Sequence, residues 1–120
     1  QSTRTPPPSP PWSIRAAGSF EAYNRRDLTA FLACFAEDFT SYRMPAVSPA
    51  LRGKDALAAF YAEHRFNNPA LRAELVSRTV LGRMVFDHER IHGLGAQAQE
   101  TMAVFEVEDS LIRTAWFYAA

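Results

Sequence analysis

From Trp12 to His64 the apolar residues recur at helical spacing, and from Leu71 to Tyr118 they alternate. Ser13 is placed to N-cap a helix running to about Arg26, with Ala16, Phe20 and Tyr23 on one face. Asp27 caps a second, short helix whose Leu28, Phe31, Leu32 and Phe35 follow the i, i+3, i+4, i+7 pattern. Gly53 and Lys54 open a third, in which Leu57, Phe60, Tyr61 and His64 repeat that spacing before Asn67-Asn68-Pro69 ends it. Four long strands follow, at Leu71–Leu81, Met84–Leu94, Gln97–Glu108 and Leu111–Tyr118, and a shorter one at Phe39–Met44 lies between the second and third helices. Short connections between long strands predict antiparallel meander pairing. Helices then a run of strands predict an α+β domain, with the helices gathered on one face of the sheet.

Composition narrows the classes of function. A chain of 120 residues, 48% apolar and 22% charged, accommodates one domain with one core. Five of the eight prolines fall between Pro6 and Pro11, so residues 1–11 read as a disordered leader and residues 12–120 as the domain. Thirteen basic residues balance thirteen acidic ones, which argues against nucleic acid and anionic membrane as partners. The single cysteine, Cys34, excludes an internal disulfide and a cysteine metal cluster. Gln1 to Pro11 lacks the apolar core of a signal peptide, so the cytoplasm is the expected location.

Three groups of residues carry a resemblance: Tyr23-Asn24-Arg25-Arg26-Asp27-Leu28, Phe35-Ala36-Glu37-Asp38-Phe39, and Gly53-Lys54-Asp55-Ala56-Leu57 with Phe60-Tyr61. Their order and spacing are similar to the opening half of nuclear transport factor 2-like (SnoaL-like) proteins. The ending Glu106-Val107-Glu108-Asp109-Ser110-Leu111-Ile112 is similar to that family's last hairpin. The resemblance spans Trp12 to Ala120. It implies a cystatin-like cone: three N-terminal helices packed on a strongly curved, mainly antiparallel sheet around a central pocket. It also implies a homodimer through the sheet face, for which Val104 and Trp116 are the expected contacts.

Comparison with the family turns Phe39, Ser41 and Arg43 inward, with Thr101, Ala103, Phe105 and Val107. On the second long strand it selects the face of Met84, Phe86, His88, Arg90 and His92. His64 joins them from the third helix. The expected inner surface then holds an excess of cationic groups and no carboxylate, which suits an acidic or carbonyl-bearing small organic molecule. His88 and His92 are the expected acid/base groups and Arg90 the oxyanion support. Arg43, Ser41, Tyr61, His64, Phe86, Phe105 and Phe117 are the expected ligand contacts. The competing expectation is that Arg90 simply pairs with an acidic side chain such as Glu37 or Glu100.

The family's chemistries differ in how well they suit this chain. Ketosteroid isomerases place a tyrosine and two carboxyl groups where this chain has Ser19, Arg43 and Ala103, which cannot do that chemistry. Limonene epoxide hydrolases resemble it at Arg90 alone of five positions. A SnoaL-type cyclase, isomerase or hydrolase using histidine acid/base chemistry is the enzymatic expectation, and a non-catalytic ligand-binding or dimeric scaffold domain the alternative. No phosphate loop, nucleophile–base pair or metal motif is present in the sequence, and neither cofactor nor metal is expected.

Overall fold

The computed structural model describes residues 11–120, with side chains from Arg15 onward. The expected disordered leader lies outside the described residues except for Pro11. That residue opens α1 (Pro11–Arg25), a helix position that tolerates proline. The other elements are α2 (Leu28–Leu32), β1 (Phe35–Arg43), β2 (Leu51–Arg52), α3 (Lys54–His64), β3 (Arg72–Leu81), β4 (Met84–His92), β5 (Gln99–Glu108) and β6 (Leu111–Ala119). The expected helices and long strands are present within a few residues of their predicted ends. β1 starts four residues earlier than predicted, and the two-residue β2 was not anticipated.

Local chemistry explains where the elements break. Asp27 accepts a hydrogen bond from the Ala30 amide at 3.0 Å and so caps α2. Arg26, in the left-handed region at φ 54°, turns the chain between the first two helices. Asn24 faces the sheet, donating to the Ala73 carbonyl at 3.0 Å and accepting from the Ala73 amide at 2.7 Å. The Asn-x-x-Asp turn therefore performs two tasks: Asp27 starts a helix, and Asn24 ties α1 to β3.

The strands form one six-stranded sheet in the order β2-β1-β6-β5-β4-β3. β3 to β6 make the predicted antiparallel meander, and β1 joins it parallel to β6. A two-residue connection, Asp109-Ser110, links β5 to β6 with both residues at positive φ (53° and 63°), the requirement of a tight hairpin turn. Gly93, at φ 97°, follows β4 where a Cβ would sit 2.3 Å from the Ala70 carbonyl oxygen. No other residue fits that approach.

The three helices cover the concave face of the sheet. Phe31, Phe35, Phe39, Leu57, Val85, Phe105 and Ile112 form the centre of the core, all buried. Phe31 packs its ring 4.7 Å from both Phe35 and Tyr61, centre to centre. Cys34 is buried beside this cluster, as expected of a small apolar residue. No described helix is long and apolar enough to cross a membrane.

Candidate functional site

Side chains alternate across each strand, so strand register fixes which residues meet on the concave face. One row across the ladder reads Arg43, Phe117, Ala103, Asp87 and Arg78. The next reads Ala119, Thr101, Glu89 and Leu75. Under the helices these rows border a cavity of about 290 Å³, at the small end of ligand sites. Its helix side is supplied by Ser19, Tyr23, Phe60, Tyr61 and Arg65.

This register corrects the expected face of β4. Val85, Asp87, Glu89 and Ile91 point into the cone, with Val85, Asp87 and Ile91 buried. Phe86, His88, Arg90 and His92 point away from it and line no part of the cavity. A shift of one residue in a strand exchanges its two faces completely. Outside, these side chains form a charge cluster rather than an acid/base site. His88 Nε2 lies 2.5 Å from Glu100 Oε1, and Arg90 Nε donates to the same carboxylate. His92 Nε2 lies 3.1 Å from Glu74 Oε1, and Arg90 Nη1 is 3.4 Å from Glu74 Oε2. The pairing of Arg90 with Glu100, the competing expectation, is the observed one. Hydrogen bonds from His88 and then Arg90 hold Glu100 below the usual carboxylate range, and a hydrogen bond from His92 does the same for Glu74.

His64 also stands outside the cavity. It is the last residue of α3, with its side chain 59% exposed and its ring against Phe60. The other expected contacts, Arg43, Ser41, Tyr61, Phe105 and Phe117, do line the cavity. So do Ser19 and Arg43, two of the three positions compared with ketosteroid isomerases, and Ala103 is buried on the same inner face. None of the three is a carboxylic acid.

The inner polar groups that the sequence reading overlooked are Tyr23, Arg65, Arg78, Asp87 and Glu89. Asp87 is fully buried and receives both arms of the Arg78 guanidinium, at 2.7 and 2.8 Å. That pair satisfies both charges in a planar, two-bond geometry. Glu89 sits one row away. Among the described residues no side chain hydrogen-bonds its carboxyl. Burial and then the neighbouring Asp87 charge push its pKa up from 4.5 to about 7, against the opposing pull of Arg78. Burial also raises both cavity phenols, Tyr61 to about 12 and Tyr23 further, so both remain hydrogen-bond donors at neutral pH. A signal for Asp87 and Glu89 existed in the sequence, since the β-branched Val85 and Ile91 share their face.

The cavity thus combines one carboxyl group that titrates near neutrality, two protonated phenols and an apolar floor of Phe39 and Phe105. Such a site can exchange a proton with a small bound molecule. No group of three or more metal-ligating side chains occurs among the described residues.

Comparison with known proteins places this architecture. A protein from Kribbella flavida, assigned as a candidate ketosteroid isomerase, superposes with a TM-score of 0.80 at 18% identity, covering 92% of this chain and 78% of that one. An uncharacterised cystatin-fold protein from Novosphingobium aromaticivorans superposes at 0.78 with 17% identity, covering 92% and 98%. An LEH-like epoxide hydrolase from M. tuberculosis gives 0.74 at 16% identity, covering 92% and 83%. At such identities the likeness is one of fold, here the cystatin-like cone, and leaves the chemistry open. No curated protein matches the chain in sequence. The model of the SnoaL-like domain matches residues 16–115, and the chain belongs to that family, within the nuclear transport factor 2-like superfamily.

Proposed function

We propose that this chain binds a small carbonyl-bearing organic molecule in the cone, with Glu89 as the acid/base group. The observation that carries the reading is a carboxyl raised to about 7 inside a cavity, without a protein hydrogen-bond partner among the described residues. As a neutral acid, Glu89 donates to a carbonyl oxygen. As a carboxylate, it removes a proton from the carbon beside that carbonyl, while Tyr23 and Tyr61 donate to the developing enolate. Glu89 takes the role expected of His88 and His92, and the class remains that of an isomerase-, cyclase- or hydrolase-like protein.

Deuterium exchange at the α-carbon of butyrophenone, followed by NMR, tests the chemistry directly. The protein is expected to accelerate exchange, with a rate that rises with pH through about 7 as the carboxylate forms. Glu89→Gln is expected to slow it roughly a hundredfold or more. Exchange at the solvent rate, or an equally fast Glu89→Gln variant, would sink the assignment.

The partner expectation is a second copy of the chain against the outer sheet face, and we propose it on the apolar groups left there. Met102 and Tyr118 are 39% and 45% exposed on neighbouring strands, and Trp116 stacks on Tyr42 beside them. Val104 is already buried within the chain, so Met102 and Tyr118 replace it as contacts. Light scattering at micromolar concentration is expected to give a dimer, and Met102→Lys a monomer. A monomeric wild type refutes it.

A further inference from the structure

Most charged groups near the cone are accounted for by an opposite charge. Arg78 is paired with Asp87, Arg90 with Glu100 and Glu74, and Arg113 with Asp38 and Glu108. Arg43 and Arg65 are different. Both line the cavity, and neither meets a carboxylate within ion-pair distance among the described residues. Their guanidinium carbons lie 6.0 and 5.0 Å from the centre of one ring, that of Phe60. The ring face holds cations by its quadrupole, at a cost in entropy and hydration lower than an unsupported guanidinium would meet. Arg65 also lies beside the phenols of Tyr23 and Tyr61, and both phenols feel the charge of Glu89. The two arginines and the carboxyl group therefore face one small space from different sides.

We infer that Arg43 and Arg65, steadied on Phe60, form a receptor for the carboxylate of an organic acid whose carbonyl reaches Glu89. This rests on the reading of the cone as a ligand site and adds the class of ligand, a small monoanionic keto acid with an apolar body. Charge supports it. Asp87 is paired with Arg78, so among the described lining residues Glu89, neutral below about pH 7, is the carboxyl group that stands against the two arginines. Of these, Arg43 is exposed at the cavity's mouth and Arg65 also donates to the His64 carbonyl at 2.9 Å. Geometry limits the ligand too. Arg43 shares a ladder row with Asp87 but stands three strands away, about 14 Å along the curved sheet. Spanning such a space requires the carboxylate and the carbonyl to be separated by a short chain rather than joined directly.

The test uses two probes of the same shape, β-benzoylpropanoate and its neutral amide, titrated calorimetrically at low salt and about pH 6, where the probe acid is ionised. The acid is expected to bind the wild type at least about tenfold more tightly than the amide. Arg43→Gln and Arg65→Gln each reduce that preference. The double variant brings the two probes to within about twofold, leaving amide binding as the control for an intact cavity. Arg43→Lys with Arg65→Lys retains part of the preference, because charge rather than packing carries it. Glu89→Gln keeps the preference while altering proton exchange, so failure of the exchange experiment removes the acid/base role and leaves the receptor standing. Equal affinity of the two probes for the wild type, absence of acid binding at millimolar concentration, or a preference that survives in the double glutamine variant overturns the inference.

Discussion

Replacing Asp87 with alanine is expected to destabilise the protein by about 3–5 kcal/mol, the range for breaking one side of a buried ion pair. The loss is large because of what remains. The Arg78 side chain is only 20% exposed, and without Asp87 its two donated hydrogen bonds have no acceptor. Glu89 is the nearest substitute. Asp87 raises the Glu89 pKa and Arg78 lowers it, so the variant removes the first influence and frees the second. Glu89 in Asp87→Ala is thus expected to titrate below its wild-type value, which an NMR titration of its side-chain carboxyl reads directly. Replacing both partners, Asp87→Leu with Arg78→Met, is expected to recover most of the stability, since two apolar groups leave nothing unpaired. Urea denaturation of Asp87→Leu, Arg78→Met and the double variant measures the cycle. Additive losses would mean the pair contributes nothing as a pair.

Glu89→Gln is expected to make the protein more stable at pH 8 while changing it little near pH 5. The folded-state pKa of Glu89 is raised from 4.5 to about 7. Between those values the native state holds a proton that the unfolded chain has released. Stability contributed by the neutral carboxyl is therefore complete below about pH 4.5 and is lost as pH rises through about 7. The full displacement corresponds to about 3 kcal/mol at most, and water entering the cavity reduces it. Glutamine carries no charge at either pH, so the variant should lose this part of the slope. Denaturation at pH 5 and pH 8, at one fixed protein concentration because a dimer adds its own dependence, gives the comparison. Identical slopes for variant and wild type would show that Glu89 ionises normally in the fold.

The sequence carried the architecture further than the site, and β4 shows why. The change from helical to alternating period near Leu71 located the sheet, and the Asp27 cap located the second helix. On β1 and β5 the inner faces given by the family comparison are the buried ones: Phe39 and Ser41 on one, Ala103, Phe105 and Val107 on the other. β4 offers no such contrast. Its outer face has Met84 and Phe86 beside three basic or histidine side chains, and its inner face has Val85 and Ile91 beside two acids. The neighbouring strand could not settle the parity either, because Val76 is an extra residue in β3 between the pairs Leu75–Glu89 and Ser77–His88. Arg78 lies on the inner face only because of that insertion. Arg65 escaped notice for a different reason: it follows the end of α3, where neither period applies.

The same extra residue bears on how the chain behaves in a crowd. β3 is one border of the sheet and β2, with two residues, is the other. An exposed border recruits foreign strands when it is long, straight and unbroken. Here β2 covers β1 at Thr40 and Ser41, and the opposite border is interrupted at Val76, with arginine at position 72. Edge-on addition of a foreign strand along β3 is therefore confined to the short stretches on either side of Val76.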